Sequence, residues 1–296
     1  MSIKKLAIGL VSTAFISSVQ ASPVINEIIY NAGGDAAYGG ATDANREFVE
    51  IKGTPGASLD NVFYLTINGD HSGNGKGWVE TVVDLTGNSL GSNGLFLIRG
   101  SQIVSMSADT NELEYNFEVG NGTNTFMLVE GYTGNLETDI DPDDDDSNWD
   151  PNGPFSQPWS SIYDALSIEE RSGTSEADSY GEDMGFISYS KAGDDIGYDP
   201  DGFIRIAGLP SGTGIVVVSN GLDAAGGEGQ EIIGMHTDGT PNAYSAFLSD
   251  RTLTDEFNGQ RFTPGADNIS AIPVPAAAWL LGSALLGLAG IKRTKK

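Results

Sequence analysis

The chain has 296 residues, a formal net charge of −26 and no cysteine. Two of its 15 basic residues lie near the start and four at the end, so residues 22–271 set nine against 41 acids, a net of −32. So acidic a surface repels phosphate, which excludes nucleic acid as a partner, and the missing thiols exclude disulfides and a lipoprotein thioether anchor.

At the start, Lys4 and Lys5 precede an apolar stretch over 6–16, and Val19-Gln20-Ala21 puts small residues where a signal peptidase reads. Residues 1–21 are therefore expected to be a secretory signal helix cut between Ala21 and Ser22. The stretch is too short, and too rich in Ser and Thr, for a transmembrane anchor.

Beyond it, short apolar runs alternate as strands do. Strands are expected over 24–30, 47–52, 62–67, 78–85, 95–98, 125–130, 161–168, 203–206 and 215–218. In the fourth, Val79, Thr81, Val83 and Leu85 share one face and Glu80 and Asp84 the other, the period of two of a half-buried strand. Leu95-Phe96-Leu97-Ile98 does not alternate, which predicts cover on both faces. Asn68-Gly69-Asp70, Gly73-Asn74-Gly75, Gly87-Asn88 and Ser92-Asn93-Gly94 supply turn chemistry between runs. No stretch before residue 272 has a helical period. With 40 glycines, the body reads as an all-β, antiparallel β-sandwich with long loops.

One loop stands out for its charge. Residues 139–153 hold seven aspartates in their first twelve positions. Alternating Asp139, Asp141, Asp143 and Asp145 offer the hard oxygen ligands that Ca²⁺ accepts. The sixth-position glycine and closing glutamate of an EF-hand are missing, so calcium binding and a merely solvated acidic loop both stand open. Asp194-Asp195 and Asp199-Pro200-Asp201-Gly202 read as turn residues leading into the strand at Phe203, with metal binding the lesser alternative.

Catalytic signatures are sparse. His71 and His236 are the only histidines, and neither has a partner at a metal-ligand spacing. Gly73-Asn74-Gly75-Lys76-Gly77 lacks the spacing and the Ser or Thr of a phosphate loop and reads as a hairpin turn. Gly-x-Ser-x-Gly does not occur. Trp78, Trp149 and Trp159 suit sugar stacking, though packing is the commoner role of tryptophan.

Val24-Ile25-Asn26-Glu27-Ile28-Ile29-Tyr30, a Gly/Asp-rich loop and Arg46-Glu47-Phe48-Val49-Glu50-Ile51 resemble the opening of bacterial lamin-tail domains. Pro264-Gly265-Ala266-Asp267-Asn268 resembles the Pro-Gly-x-x-Asn segment that closes them, and Ser161-Ile162-Tyr163-Asp164-Ala165-Leu166 their internal Val-Asp-Ala strand. The resemblance implies one immunoglobulin-like sandwich over residues 22–271, with its core over 24–268, enlarged by loop insertions that include 139–153. It implies interaction without fixing a ligand.

The C-terminus carries a second address. Ile272-Pro273-Val274-Pro275-Ala276 leads into an uncharged run over 276–291, then Lys292-Arg293-Thr294-Lys295-Lys296. As a helix rising ~1.5 Å per residue, 276–291 reaches ~24 Å, a minimal span of a ~30 Å hydrocarbon core. The basic flank keeps its end cytoplasmic and puts the body across the membrane. The order Pro-x-Pro-Ala, apolar helix, basic terminus resembles the PEP-CTERM sorting tails of bacteria, in their Val-Pro-Leu-Pro-Ala (VPLPA-CTERM) variant. This implies an exosortase as partner, transient residence in the inner membrane of a Gram-negative host, and release to the cell surface or extracellular polymer.

Together these readings lead us to expect an exported, non-enzymatic surface or biofilm-matrix protein. Its partners would be signal peptidase, the exosortase and surface polysaccharide, with Ca²⁺ the one candidate cofactor. Two alternatives remain: a secreted hydrolase acting on polysaccharide or phosphoester, and a protein held permanently in the inner membrane facing the periplasm.

Overall fold

β-Branched and aromatic runs cut by Gly, Asn and Asp become strands because extended backbone accommodates branched side chains while those three residues turn the chain. The computed structural model describes residues 21–30, 43–45, 47–69, 75–116, 122–141, 157–169, 180–190, 200–209, 212–219, 230–235, 241–248 and 262–268. In chain order these form β1 (Val24–Ile29), β2 (Phe48–Lys52), β3 (Val62–Asn68), β4 (Val79–Asp84), β5 (Leu95–Arg99), β6 (Asn111–Glu114) and β7 (Asn124–Glu130). There follow β8 (Ser161–Glu169), the one-turn helix α1 (Tyr180–Asp183), β9 (Ile187–Ser190), β10 (Pro200–Leu209), β11 (Gly212–Ser219), β12 (Gln230–Met235) and β13 (Pro241–Leu248).

The fold is all-β, with two facing sheets. One runs β13-β12-β11-β10-β1-β2-β5-β6 and the other β4-β3-β7-β8-β9. Most neighbours are antiparallel, but β5·β6 and β8·β9 are parallel, which corrects the expectation of an antiparallel sandwich throughout. The reason lies in the connections. The chain from β5 returns through residues 100–110 and re-enters beside β5 in the same direction, and α1 lies in the link between β8 and β9.

Both sheets contribute to one core. Ile25, Ile28 and Tyr30 of the β1 run, Val49 and Ile51 of β2, Phe96 and Ile98 of β5 and Phe203 of β10 meet Tyr64 of β3, Val83 of β4, Phe126 and Leu128 of β7 and Leu166 and Ile168 of β8. Tyr30 and Phe203 flank Phe126, with ring centroids 5.0 and 6.2 Å away, tilted as aromatic quadrupoles prefer. A second apolar cluster covers the other side of the smaller sheet. There Leu65, Ile67, Met127 and Val129 pack under Tyr132, Ile140, Trp159 and Tyr180. Tyr180 belongs to α1, which is seated by the amide of Gly181 donating to the Ser167 hydroxyl at 2.7 Å.

Period two in β4 is as expected, with Val79, Thr81 and Val83 buried and Asp84 exposed. Leu95 to Ile98 are buried on both faces, also as expected, between β2 and β6. β6, β9, β12 and β13 and the helix α1 were not anticipated. Asn-Glu-Leu-Glu in β6 has too little apolar content to announce a strand, and it exists because β5 offers it a free edge and Arg99 binds its Glu112 and Glu114. β10 starts at Pro200, earlier than expected, so Asp201 and Gly202 lie in the strand and not in a turn. The expected helix over 276–291 and the signal over 1–20 lie outside the described residues. Among the described residues no helix is long and apolar enough to cross a membrane.

Candidate functional site

Two charged residues lie on the strand face turned away from the shared core and are nevertheless cut off from water. Glu27 in β1 and Glu50 in β2 are directly opposite each other across the ladder, and both are fully buried. Because Ile25 and Ile28, like Val49 and Ile51, face the shared core, and a bulge follows Ile25, the two glutamates project from the opposite face of the sheet.

That face is covered by residues 262–268. Phe262 is fully buried and packs edge-on against Phe48, at 6.0 Å and 90°. Thr263 donates from its amide to both oxygens of Glu27, at 3.2 and 3.0 Å, and from its hydroxyl at 3.1 Å. Gly265 donates its amide to Glu50 Oε2 at 2.7 Å, and the Asn26 side chain donates to the other Glu50 oxygen. Asn268 donates to the carbonyls of Asn26 and Arg205, at 3.4 and 2.6 Å, so the segment spans β2, β1 and β10. Lys52 closes the rim on Asp267 at 2.7 Å. From the other side, the amide of Met106 donates to the carbonyl of Pro264 and the hydroxyl of Thr110 to that of Gly265. Gly265 has φ +79°, and a Cβ there would lie 2.0 Å from Ser105 Oγ, so only glycine fits.

Burial raises the Glu50 carboxyl from an ordinary 4.5 to about 7, against the pull of Asn26, Gly265 and Lys52. Glu27 is raised well above 4.5, first by burial and then by the Glu50 charge beside it, with Thr263 pulling down. Two like charges facing each other in a dry site cannot both ionise cheaply.

A second buried polar tie joins the sheets. Asp164 Oδ2 of β8 accepts from the amide of Ile25 at 2.8 Å and from the Arg205 guanidinium of β10 at 2.7 Å, and Arg205 Nε donates to the Ile25 carbonyl at 2.8 Å. Burial holds the Asp164 carboxyl above its usual range, with Arg205 pulling it down.

Of the residues singled out from sequence, Ala21 and Ser22 are exposed, with Ala21 donating its amide to Thr54 Oγ1 at 3.2 Å. Ile272, Pro273, Val274, Pro275 and Ala276 lie outside the described residues, as do Asp143, Asp145, His71, His236 and Trp149. Asp139 and Asp141 are described and lie beside Gly77, where a Cβ would meet Asp139 Oδ1 and Asp141 Cβ at 3.0 Å each. Asp139 accepts the Asp141 amide at 2.9 Å, and Asp141 accepts the Tyr180 hydroxyl at 3.1 Å. Among the described residues, no three acidic or histidine side chains gather into a metal-holding group. Trp159 is buried in the second apolar cluster, and Trp78 is bridged to Asp139. The role of Trp159 is therefore packing rather than sugar stacking.

Glu27, Glu50, Asp164 and Arg205 were missed as a set of buried charges. The signal for them was present, because each interrupts an apolar run, as in Ile25-Asn26-Glu27-Ile28 and Ile204-Arg205-Ile206. A charge inside a core strand needs a partner.

No protein-family model, no curated protein and no solved structure matches this chain.

Proposed function

We propose that this is an exported, non-enzymatic surface or extracellular-matrix protein whose immunoglobulin-like, lamin-tail-like body is a binding or scaffold module. In this reading it is sorted by an exosortase through residues 272–296. The observation that carries the reading is the pairing of two addresses on one acidic, cysteine-free chain. A basic-apolar-small leader ends at Ala21, and a Pro-x-Pro-Ala, apolar, basic order begins at Ile272. The lamin-tail reading draws support from where its motif residues lie. Asn26 of the opening is bonded to Glu50 of the second run and to Asn268 of the closing segment, Gly265 of that segment to Glu50, and Thr263 just before it to Glu27, although over 200 positions separate the closing segment from the two runs.

Calcium at the acidic loop is a second proposal, supported by the alternation of Asp139, Asp141, Asp143 and Asp145 in the sequence. Bound there, Ca²⁺ would neutralise carboxylates that otherwise repel one another.

The test of export and sorting is the intact mass of the mature chain from the membrane and extracellular fractions of its native host. A species starting at Ser22, ending between Pro273 and Ala276 and found outside the cell is the expected result. A species retaining Lys296 and confined to the membrane would overturn sorting and leave a periplasm-facing anchor.

A further inference from the structure

The buried pair Glu27 and Glu50 has no role in a plain sandwich, since an apolar pair of the same size would seal that face at lower cost. We infer that the two carboxylates, opposed across the β1·β2 ladder and both buried, form a titratable pair that latches residues 262–268 onto the outer face of the larger sheet. The latch is closed in acid and loosened in alkali. The geometry allows this because the backbone amides of Thr263 and Gly265, at the centre of the covering segment, end on these two side chains, while Phe262, Asp267 and Asn268 hold its ends. Three bonds from Thr263 end on Glu27 and one from Gly265 on Glu50.

The charged groups around the pair set the direction. On β2, Lys52 stands beside Glu50 and favours its ionisation, but it is partly exposed and already paired with Asp267 of the covering segment. Toward β6, Arg99 is occupied by Glu112 and Glu114. On the β10 side, the Arg205 guanidinium is turned to Asp164. On the 100–110 side, Asp109 accepts from Ser92 and adds only negative charge. No cation among the described residues is buried against the pair, so one proton must sit on it for the segment to close without a double buried charge.

Carboxyls whose folded pKa lies above 4.5 stabilise the closed form fully below that value, and the contribution is lost as pH rises through about 7. For Glu50 alone, a rise from 4.5 to about 7 makes opening more favourable by on the order of 100-fold between pH 5 and 8. Glu27 adds to this in the same direction.

The experiment is amide hydrogen exchange on the purified protein at pH 5 to 8, corrected for base-catalysed intrinsic exchange and read at Thr263 and Gly265, for wild type and Glu50→Gln. Wild type should show opening at these amides that grows on the order of 100-fold over the range, while the neighbouring ladder amides of β2 change less. Glu50→Gln should show a shallower pH dependence, the remainder coming from buried Glu27. A wild-type profile flat in pH, or a Glu50→Gln slope equal to that of wild type, overturns the latch. Should Glu50→Gln fail to fold, carbon-13 titration of the glutamate side-chain carboxyls of wild type decides the matter. At least one glutamate titrating near 7 or above is the expected result, and every glutamate titrating below about 5.5 overturns it.

Discussion

Replacing Asp164 by alanine tests whether the inter-sheet tie is a matched pair. The carboxylate and the Arg205 guanidinium are 2.7 Å apart, with side chains only 11% and 13% exposed, so solvent screens them weakly. Truncating one partner of a buried pair costs ~3–5 kcal/mol, much of it the penalty of leaving the other charge dry and unpaired. Here the Ile25 amide loses its acceptor as well. The upward shift of the Asp164 carboxyl says that ionising this group is already costly, and the residual exposure lets some water reach the stranded guanidinium, so the lower part of that range applies, about 3 kcal/mol. For a body of this size the midpoint should fall by ~6–12 °C. The assay is thermal and guanidinium unfolding of wild type, Asp164→Ala, Arg205→Met and the double variant. The double variant should be more stable than the sum of the singles predicts, by ~1–3 kcal/mol, because removing Arg205 relieves the stranded charge. Strict additivity, or an Asp164→Ala loss below ~1 kcal/mol, would refute the reasoning.

Two further outcomes are expected. Gly202→Ala should destabilise by ~1–3 kcal/mol in urea titration, because a Cβ there would lie 2.2 Å from the Ile28 carbonyl oxygen and force β10 away from β1; an unchanged midpoint would mean that the two strands are not closely paired at that position. If the acidic loop binds calcium, saturation at ~100 times the dissociation constant should add ~2.7 kcal/mol, seen as a raised melting midpoint that chelator reverses; a midpoint constant through millimolar Ca²⁺ leaves a solvated loop.

Much of the architecture was legible because it rests on local chemistry. Period two in Val79-Glu80-Thr81-Val82-Val83-Asp84 follows from the pleat alone, and continuous burial of Leu95 to Ile98 follows from an apolar run with no polar face to present. β6 was not legible, since Asn-Glu-Leu-Glu becomes a strand only through what β5 and Arg99 offer it. The site was half legible. Asn26, Glu27, Glu50, Gly265 and Asn268 stood out as motif residues, but nothing in their spacing said that two of them face each other in a dry interior.

The class of the body, its acidity and the two terminal addresses from which export is proposed can be read along the chain, because composition, period and flanking charge act over a few residues at a time. Which charges lose their water depends on the packing of distant segments. Glu27 and Glu50 are opposed by the β1·β2 register and sealed by a segment over 200 residues downstream, and Asp164 meets Arg205 from the facing sheet. Desolvation depends on what covers a group, and the cover here comes from remote chain.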